Sequence, residues 1–257
     1  MPRPSLETTK TPIDPAQRVA LVTGANKGIG LAVAEGLLDL GMTVFLGARD
    51  TSRGTAAVAA LTARGLDARL VLLDVTDQAS VDAAADTIAR DAGALDILVN
   101  NAGTLVSPIR LPSDTSVEEI RTTYETNVFG VVAVTNAMLP LLRRSPAARI
   151  VNLTSDLGSL SLASADEKFP QLLAYNSSKT ALNAITVTYA NELRAEGILV
   201  NAVSPGSVAT DQNGHAGILS TEQGARLPIQ MATLPSGGTS GTAVTAAEDL
   251  SHHPLAW

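Results

Sequence analysis

From Val19 onward, short apolar runs rich in β-branched residues alternate with longer stretches that favour helix, and no other feature of the 257 residues constrains the fold as much. Strands buried on both faces read as near-continuous apolar runs, and two such strands in parallel need a crossover long enough to hold a helix. The candidate strands are Val19–Thr23, Thr43–Gly47, Arg69–Leu73, Ile97–Asn100, Arg149–Thr154 and Leu199–Val203, with a seventh over Thr242–Thr245. Between them, Thr55–Arg64 and Val81–Ala92 are alanine-rich, and alanine gives up no side-chain entropy in a helix. Two longer helices are expected over Ser113–Arg144 and Leu172–Glu196, the second closed by Gly197 as a left-handed C-cap. The pattern predicts an α/β fold: a doubly wound parallel sheet of about seven strands flanked by helices, in one domain over 18–257.

Composition narrows what such a domain can do. With 45% hydrophobic residues the chain can bury a sizeable core. Asp and Glu number 25 against 18 Lys and Arg, a formal charge of -7, which speaks against affinity built on neutralising nucleic-acid phosphates. Cysteine is absent, which excludes disulfides and thiolate metal sites and is compatible with a reducing compartment. Residues 1–17 carry Pro2, Pro4, Pro12 and Pro15, hold no apolar run of the signal-peptide kind, and read as a flexible tail. The apolar stretches read as too short or too interrupted to span a bilayer. A cytoplasmic protein without membrane or nucleic-acid partners is expected.

The run Thr23-Gly24-Ala25-Asn26-Lys27-Gly28-Ile29-Gly30 follows the first strand and opens a helix. Free backbone amides at a helix start can hold a pyrophosphate. Glycines at 24, 28 and 30 permit a tight turn, close approach of a ligand, and close packing of the helix on the sheet. By itself this spacing also fits a plain βα turn. After the second strand, where many dinucleotide folds place a carboxylate for the adenosine ribose, the chain reads Leu46-Gly47-Ala48-Arg49-Asp50. Ala48 leaves room for a 2′-phosphate, the Arg49 guanidinium can pair with it, and Lys27 can approach from the glycine turn. Provided Asp50 points to solvent, NADP(H) is expected over NAD(H).

In Ala174-Tyr175-Asn176-Ser177-Ser178-Lys179, a spacing of four on the second long helix sets Tyr175 beside Lys179. A phenol of pKa about 10 is protonated at neutral pH, and a neighbouring ammonium favours the phenolate and tunes it as an acid/base. With both motifs in order and Asn100-Asn101-Ala102-Gly103 between them, the chain resembles the short-chain dehydrogenase/reductase family from about Arg18 onward. The branch is the one with Thr-Gly-x-x-x-Gly-x-Gly and Tyr-x-x-x-Lys, and Asn26-Lys27, Gly47-Ala48-Arg49-Asp50 and Thr210-Asp211-Gln212-Asn213-Gly214 look carbonyl-reductase-like.

That resemblance implies a Rossmann-type domain and a set of roles. Asn101, Ala102 and Gly103 border the cofactor, Asp74 and Val75 receive its adenine, and Pro205, Gly206, Val208 and Thr210 meet the nicotinamide carboxamide. Asn127 holds a water that links the catalytic lysine to solvent. Ser155 orients the substrate oxygen, with Thr154 exchangeable for it by a register error of one residue. Tyr175 gives or takes the proton, while Lys179 lowers its pKa and holds the ribose hydroxyls. The expected activity is hydride transfer between NADP(H) and a small-molecule carbonyl or alcohol.

The gap from Ser155 to Tyr175 is long for this family and implies an insertion around Ala165–Leu172. With a substrate lid over about 207–235, it would shape a pocket walled by Leu105, Leu157, Phe169 and Ile218. Leu182, Ile185 and Tyr189 fit either a homo-oligomer interface or packing on the sheet, and a monomer stays open. Three histidines without a G-x-S-x-G elbow or a ligand pattern give little support to a serine hydrolase or a metal site. A catalytically silent dinucleotide sensor with the same fold is the competing reading, and such a sensor would need only the cofactor-binding set.

Overall fold

The computed structural model describes residues 17–106, 111–247 and 251–257. The tail expected over 1–17 lies, but for Gln17, outside them. In order the elements are β1 (Val19–Thr23), α1 (Gly28–Asp39), β2 (Thr43–Ala48), α2 (Thr51–Thr62), β3 (Ala68–Leu72), α3 (Gln78–Asp91) and β4 (Ile97–Asn100). There follow α4 (Val117–Tyr124), α5 (Gly130–Leu142), β5 (Arg149–Leu153), α6 (Leu160–Ala165), α7 (Leu173–Leu193) and β6 (Leu199–Ser204). The chain closes with α8 (Thr221–Ala232), β7 (Ala243–Ala246) and β8 (His252–Pro254).

The strands form one sheet in the order β3-β2-β1-β4-β5-β6-β7-β8, parallel throughout except for β8, which runs antiparallel to β7. Side chains alternate across each strand, so neighbouring residues enter different cores. Ala20, Val22, Val44 and Leu46 join Val33 and Leu37 of α1 and Leu227 and Met231 of α8 on one face. Leu21 and Phe45 join Ile88 of α3, Met138 and Leu142 of α5, and Leu193 of α7 on the other. The strand order reverses between β1 and β4, and at such a switch point the carboxyl ends of the strands part into a crevice.

Four departures from the expected elements have physical causes. The sheet has an eighth strand, β8, whose His252, His253 and Pro254 are all exposed and carry no strand pattern; pairing with the edge of β7 makes the strand. The helix expected over Ser113–Arg144 begins at Val117, capped by Ser116 and Glu119, and five residues, Glu125–Phe129, take wider π-helical turns before α5. That wider segment joins α4 and α5 into one helical run, Val117–Leu142, long and apolar enough by length and composition to cross a bilayer, contrary to the expectation. More than half of it is packed inside the molecule, as in the core helix of a globular domain. Finally, the lid expected over 207–235 is only partly a lid, because Ala225, Leu227, Met231 and Ala232 of α8 are core residues. The left-handed Gly197 does close α7, after a short 3-10 turn over Arg194–Glu196.

Candidate active site

The crevice begins at the glycine turn. Gly24 and Gly28 have φ of +65° and +58°, which an L side chain rarely adopts. A Cβ at Gly30 would stand 2.6 Å from the Gly24 carbonyl and collide with the Asn101 carboxamide, whereas beside Gly28 nothing lies within 4 Å. Asn101 in turn donates to the Thr23 and Gly24 carbonyls at 2.8 and 3.3 Å, and the Thr23 hydroxyl accepts from the amides of Asn101 and Ala102. The segment after β4 therefore braces the turn after β1 and leaves open space over its amides. This cradle, which side chains would fill, fits a pyrophosphate.

Beyond the turn a cavity of about 530 Å³ is lined by Asn26, Lys27, Arg49, Asp74, Val75, Ala102 and Gly103. Arg53, which sequence reasoning missed, lines it too. Asp50 turns back onto α2, accepting from the Arg53 amide at 2.9 Å as the helix N-cap and pairing with the Arg53 guanidinium at 3.5 Å. Asp50 also lines the cavity, with both carboxylate oxygens engaged by Arg53. Asp74 accepts from the amide and hydroxyl of Thr76, and these bonds, with a contribution from the Arg49 charge, hold its carboxyl below the usual range. Lys27 departs from its expected place, since its ammonium is bound to Asp211 at 2.6 Å across the crevice.

The second half of the site gathers at the ends of β5 and β6 and the start of α7. A cavity of about 370 Å³ is lined by Ile29, Leu105, Thr154, Ser155, Leu157, Tyr175, Pro205, Gly206, Val208, Thr210 and Gln212. Tyr175 shares this cavity with Ser155 and Gln212, whose side chains both favour the ionised phenol. Thr154 is also in the cavity, but its hydroxyl is engaged by the Asn183 carboxamide at 2.6 Å, so Ser155 is the freer of the two. Of the expected apolar wall, Leu105 and Leu157 are present, Phe169 lines a neighbouring cavity of about 330 Å³, and Ile218 is 62% exposed.

Lys179 lies one turn along α7, its ammonium 5.6 Å from the centre of the Tyr175 ring and donating to the Leu153 carbonyl at 2.7 Å. Burial pulls its pKa from the ordinary 10.5 down to about 8. Burial also pushes the Tyr175 phenol up, against the opposing pull of Ser155 and Gln212, and the lowering expected from Lys179 does not contribute. Asn127 stands in the π-helical segment, wholly buried. Its oxygen accepts from the Thr104 amide at 2.8 Å, and its nitrogen donates to the Thr104 carbonyl and the Ser178 hydroxyl at 3.0 Å each. A Cβ at Gly103 would be 3.4 Å from the Asn127 oxygen and 3.7 Å from the Lys179 nitrogen, so this glycine keeps a gap between them.

The family model for short chain dehydrogenases matches residues 18–217. Short-chain dehydrogenase/reductase 1 of Saponaria officinalis is 35% identical, over 90% of this chain and 95% of the relative. Carbonyl reductase [NADPH] 1 of Homo sapiens is 34% identical, over 84% and 91%. The crystal structure of NADPH-bound carbonyl reductase from chicken fatty liver superposes with a TM-score of 0.81 at 28% identity, covering 93% of this chain and 99% of that one.

Proposed function

The chain belongs to the short-chain dehydrogenase family and is an NADP-dependent oxidoreductase, and we propose that it reduces a small-molecule carbonyl to the alcohol, or runs the reverse oxidation, with Tyr175 as acid/base. One observation carries this reading: the Tyr175 phenol and the Ser155 hydroxyl line a single cavity, so one oxygen bound there can meet both. When bound, the cofactor supplies the hydride.

The chain's own residues do the rest. Gly24, Gly28, Ile29 and Gly30 would hold the pyrophosphate, Arg49 the 2′-phosphate with Asn26 beside it, and Asp74 and Val75 the adenine. Lys27, kept in its pair with Asp211, would line the phosphate end of the crevice. Asn101, Ala102 and Gly103 form the floor, and Pro205, Gly206, Val208 and Thr210 the far wall. Ser155 donates a hydrogen bond that fixes the substrate oxygen, and Tyr175 passes its proton to that oxygen during reduction. Lys179 holds the ribose hydroxyls, and its positive charge offsets the phenolate that remains. Protons return by way of Lys179 and the gap at Gly103 beside Asn127. Pairing of two copies would rest on Ile185, since Leu182 is buried within its own chain and Tyr189 packs against its core.

The test is a panel of aldehydes, ketones and imines offered with NADPH and NADH in parallel, to the parent and to Tyr175→Phe. The parent should turn over with NADPH preferred, and the variant should lose about 100-fold or more of that rate. Tight NADPH binding without turnover of any substrate would instead make the protein a nucleotide sensor.

A further inference from the structure

Ser155 was expected to meet the substrate oxygen together with Tyr175; Gln212 was not. Gln212 sits in the 3-10 turn Asp211–Asn213 that follows β6, and it lines both the catalytic cavity and the adjoining one at the glycine turn. The turn that carries it is tied on every side. Asp211 binds Lys27 at 2.6 Å and the His215 ring at 3.0 Å, and Asn213 donates to the Val208 carbonyl at 2.9 Å while accepting from the Thr210 amide. Gln212 is therefore held at the cavity that Tyr175 and Ser155 line, and its side chain favours the ionised phenol. A carboxamide carries two N–H donors and no charge, so it can support a developing oxyanion without competing for the proton.

We infer that Gln212 is a third hydrogen-bond donor at the reacting oxygen, beside Ser155 and Tyr175, and that the Lys27–Asp211 pair is the contact that positions it. The inference rests on the reductase reading above. As hydride reaches the carbonyl carbon, the C=O π pair moves onto oxygen. Tyr175 delivers its proton there, and Gln212 keeps both of its own. In the reverse direction the same N–H stabilises the phenolate that accepts the alcohol proton.

The experiment compares the parent with Gln212→Leu, Gln212→Glu and Asp211→Ala, using NADPH and a carbonyl from the panel. It measures kcat, KM, the NADPH Kd by fluorescence, and the pH profile of alcohol oxidation. Gln212→Leu should lower kcat by about 10- to 100-fold, somewhat less than the loss of a main oxyanion donor, and leave Kd within about twofold. The rising limb of the oxidation profile should move to higher pH, because the phenolate has lost a donor, and Gln212→Glu should move it further by placing a carboxylate beside it. Asp211→Ala should shift kcat in the same direction by less. An unmoved pH limb, a kcat within about twofold of the parent, or a Kd that weakens in step with kcat would overturn the inference and leave the reductase intact. A parent that turns over no substrate defeats the reductase reading itself.

Discussion

Lys179 is held in two incompatible ways. Catalysis wants its positive charge near the phenolate, but the side chain is only 5% exposed, and no carboxylate among the described residues offsets the loss of water around it. A buried cation without a counter-ion weakens the fold, and a hydrophobic side chain of similar length often serves stability better. The sign follows from linkage. With a folded-state pKa near 8 against an ordinary 10.5, the destabilisation is full below about pH 8 and fades as pH rises toward 10.5, where the unfolded chain also sheds its proton. Lys179→Met should therefore lose turnover, and its stability relative to the parent should be greatest below pH 8 and shrink through that window. Urea titrations of both proteins from pH 7 to pH 10 make the comparison, with all other groups cancelling between them. A constant difference across the range would mean that the ammonium is not buried as described.

The glycine turn is an element whose sequence requirement can be assigned atom by atom. Gly28 needs glycine for its backbone angle, while Gly30 needs it for space. Gly30→Ala forces a methyl group between the Gly24 carbonyl and the Asn101 carboxamide, and relief of the clash must loosen the brace between the β1 and β4 ends. Overpacking of this kind costs about 1–3 kcal/mol. NADPH affinity should fall by about tenfold or more, and equal Kd values by fluorescence titration would show that the brace does not shape the cradle. The turn was legible in the sequence because its signal is local: a β-branched run, then glycines in fixed spacing, then a helix. Tyr175 and Lys179 were legible for the same reason, one turn apart on one helix. The π-helical segment around Asn127 was not, since a change from i−4 to i−5 hydrogen bonding leaves the apolar pattern almost intact. Gln212 escaped because Tyr175, with which it shares a cavity, lies 37 residues upstream, and only the closed fold brings the two together.

At the scale of the whole molecule, the far edge of the sheet is wired to the wall of the cleft. After β8, Leu255 is 5% exposed and packs with Ala202 and Ala243. The next two residues reach α6: the Ser159 hydroxyl donates to the Ala256 carbonyl at 2.6 Å, and the Ser161 amide to the Trp257 carbonyl at 3.1 Å. Ser159 caps α6 and directly follows the 3-10 turn Asp156–Gly158, whose Leu157 faces the catalytic cavity. Pattern reading found here only histidines without a ligand pattern, because the function of the segment comes from pairing across the sheet and not from its own residues. Removing residues 256 and 257 deletes both hydrogen bonds and a third from the Ser161 hydroxyl to the Trp257 carbonyl, for a loss of about 2–4 kcal/mol in all. Since β8 and Leu255 remain, the sheet edge should survive. Tyr175 and Lys179 are anchored on α7 independently of α6, so kcat should stay within about threefold of the parent. KM should rise by a larger factor, because Leu157 and the insertion lose their outer support. Steady-state kinetics on the shortened chain decide the matter: a kcat that collapses with KM unchanged would place the C-terminal segment in support of the acid/base pair instead of the substrate wall.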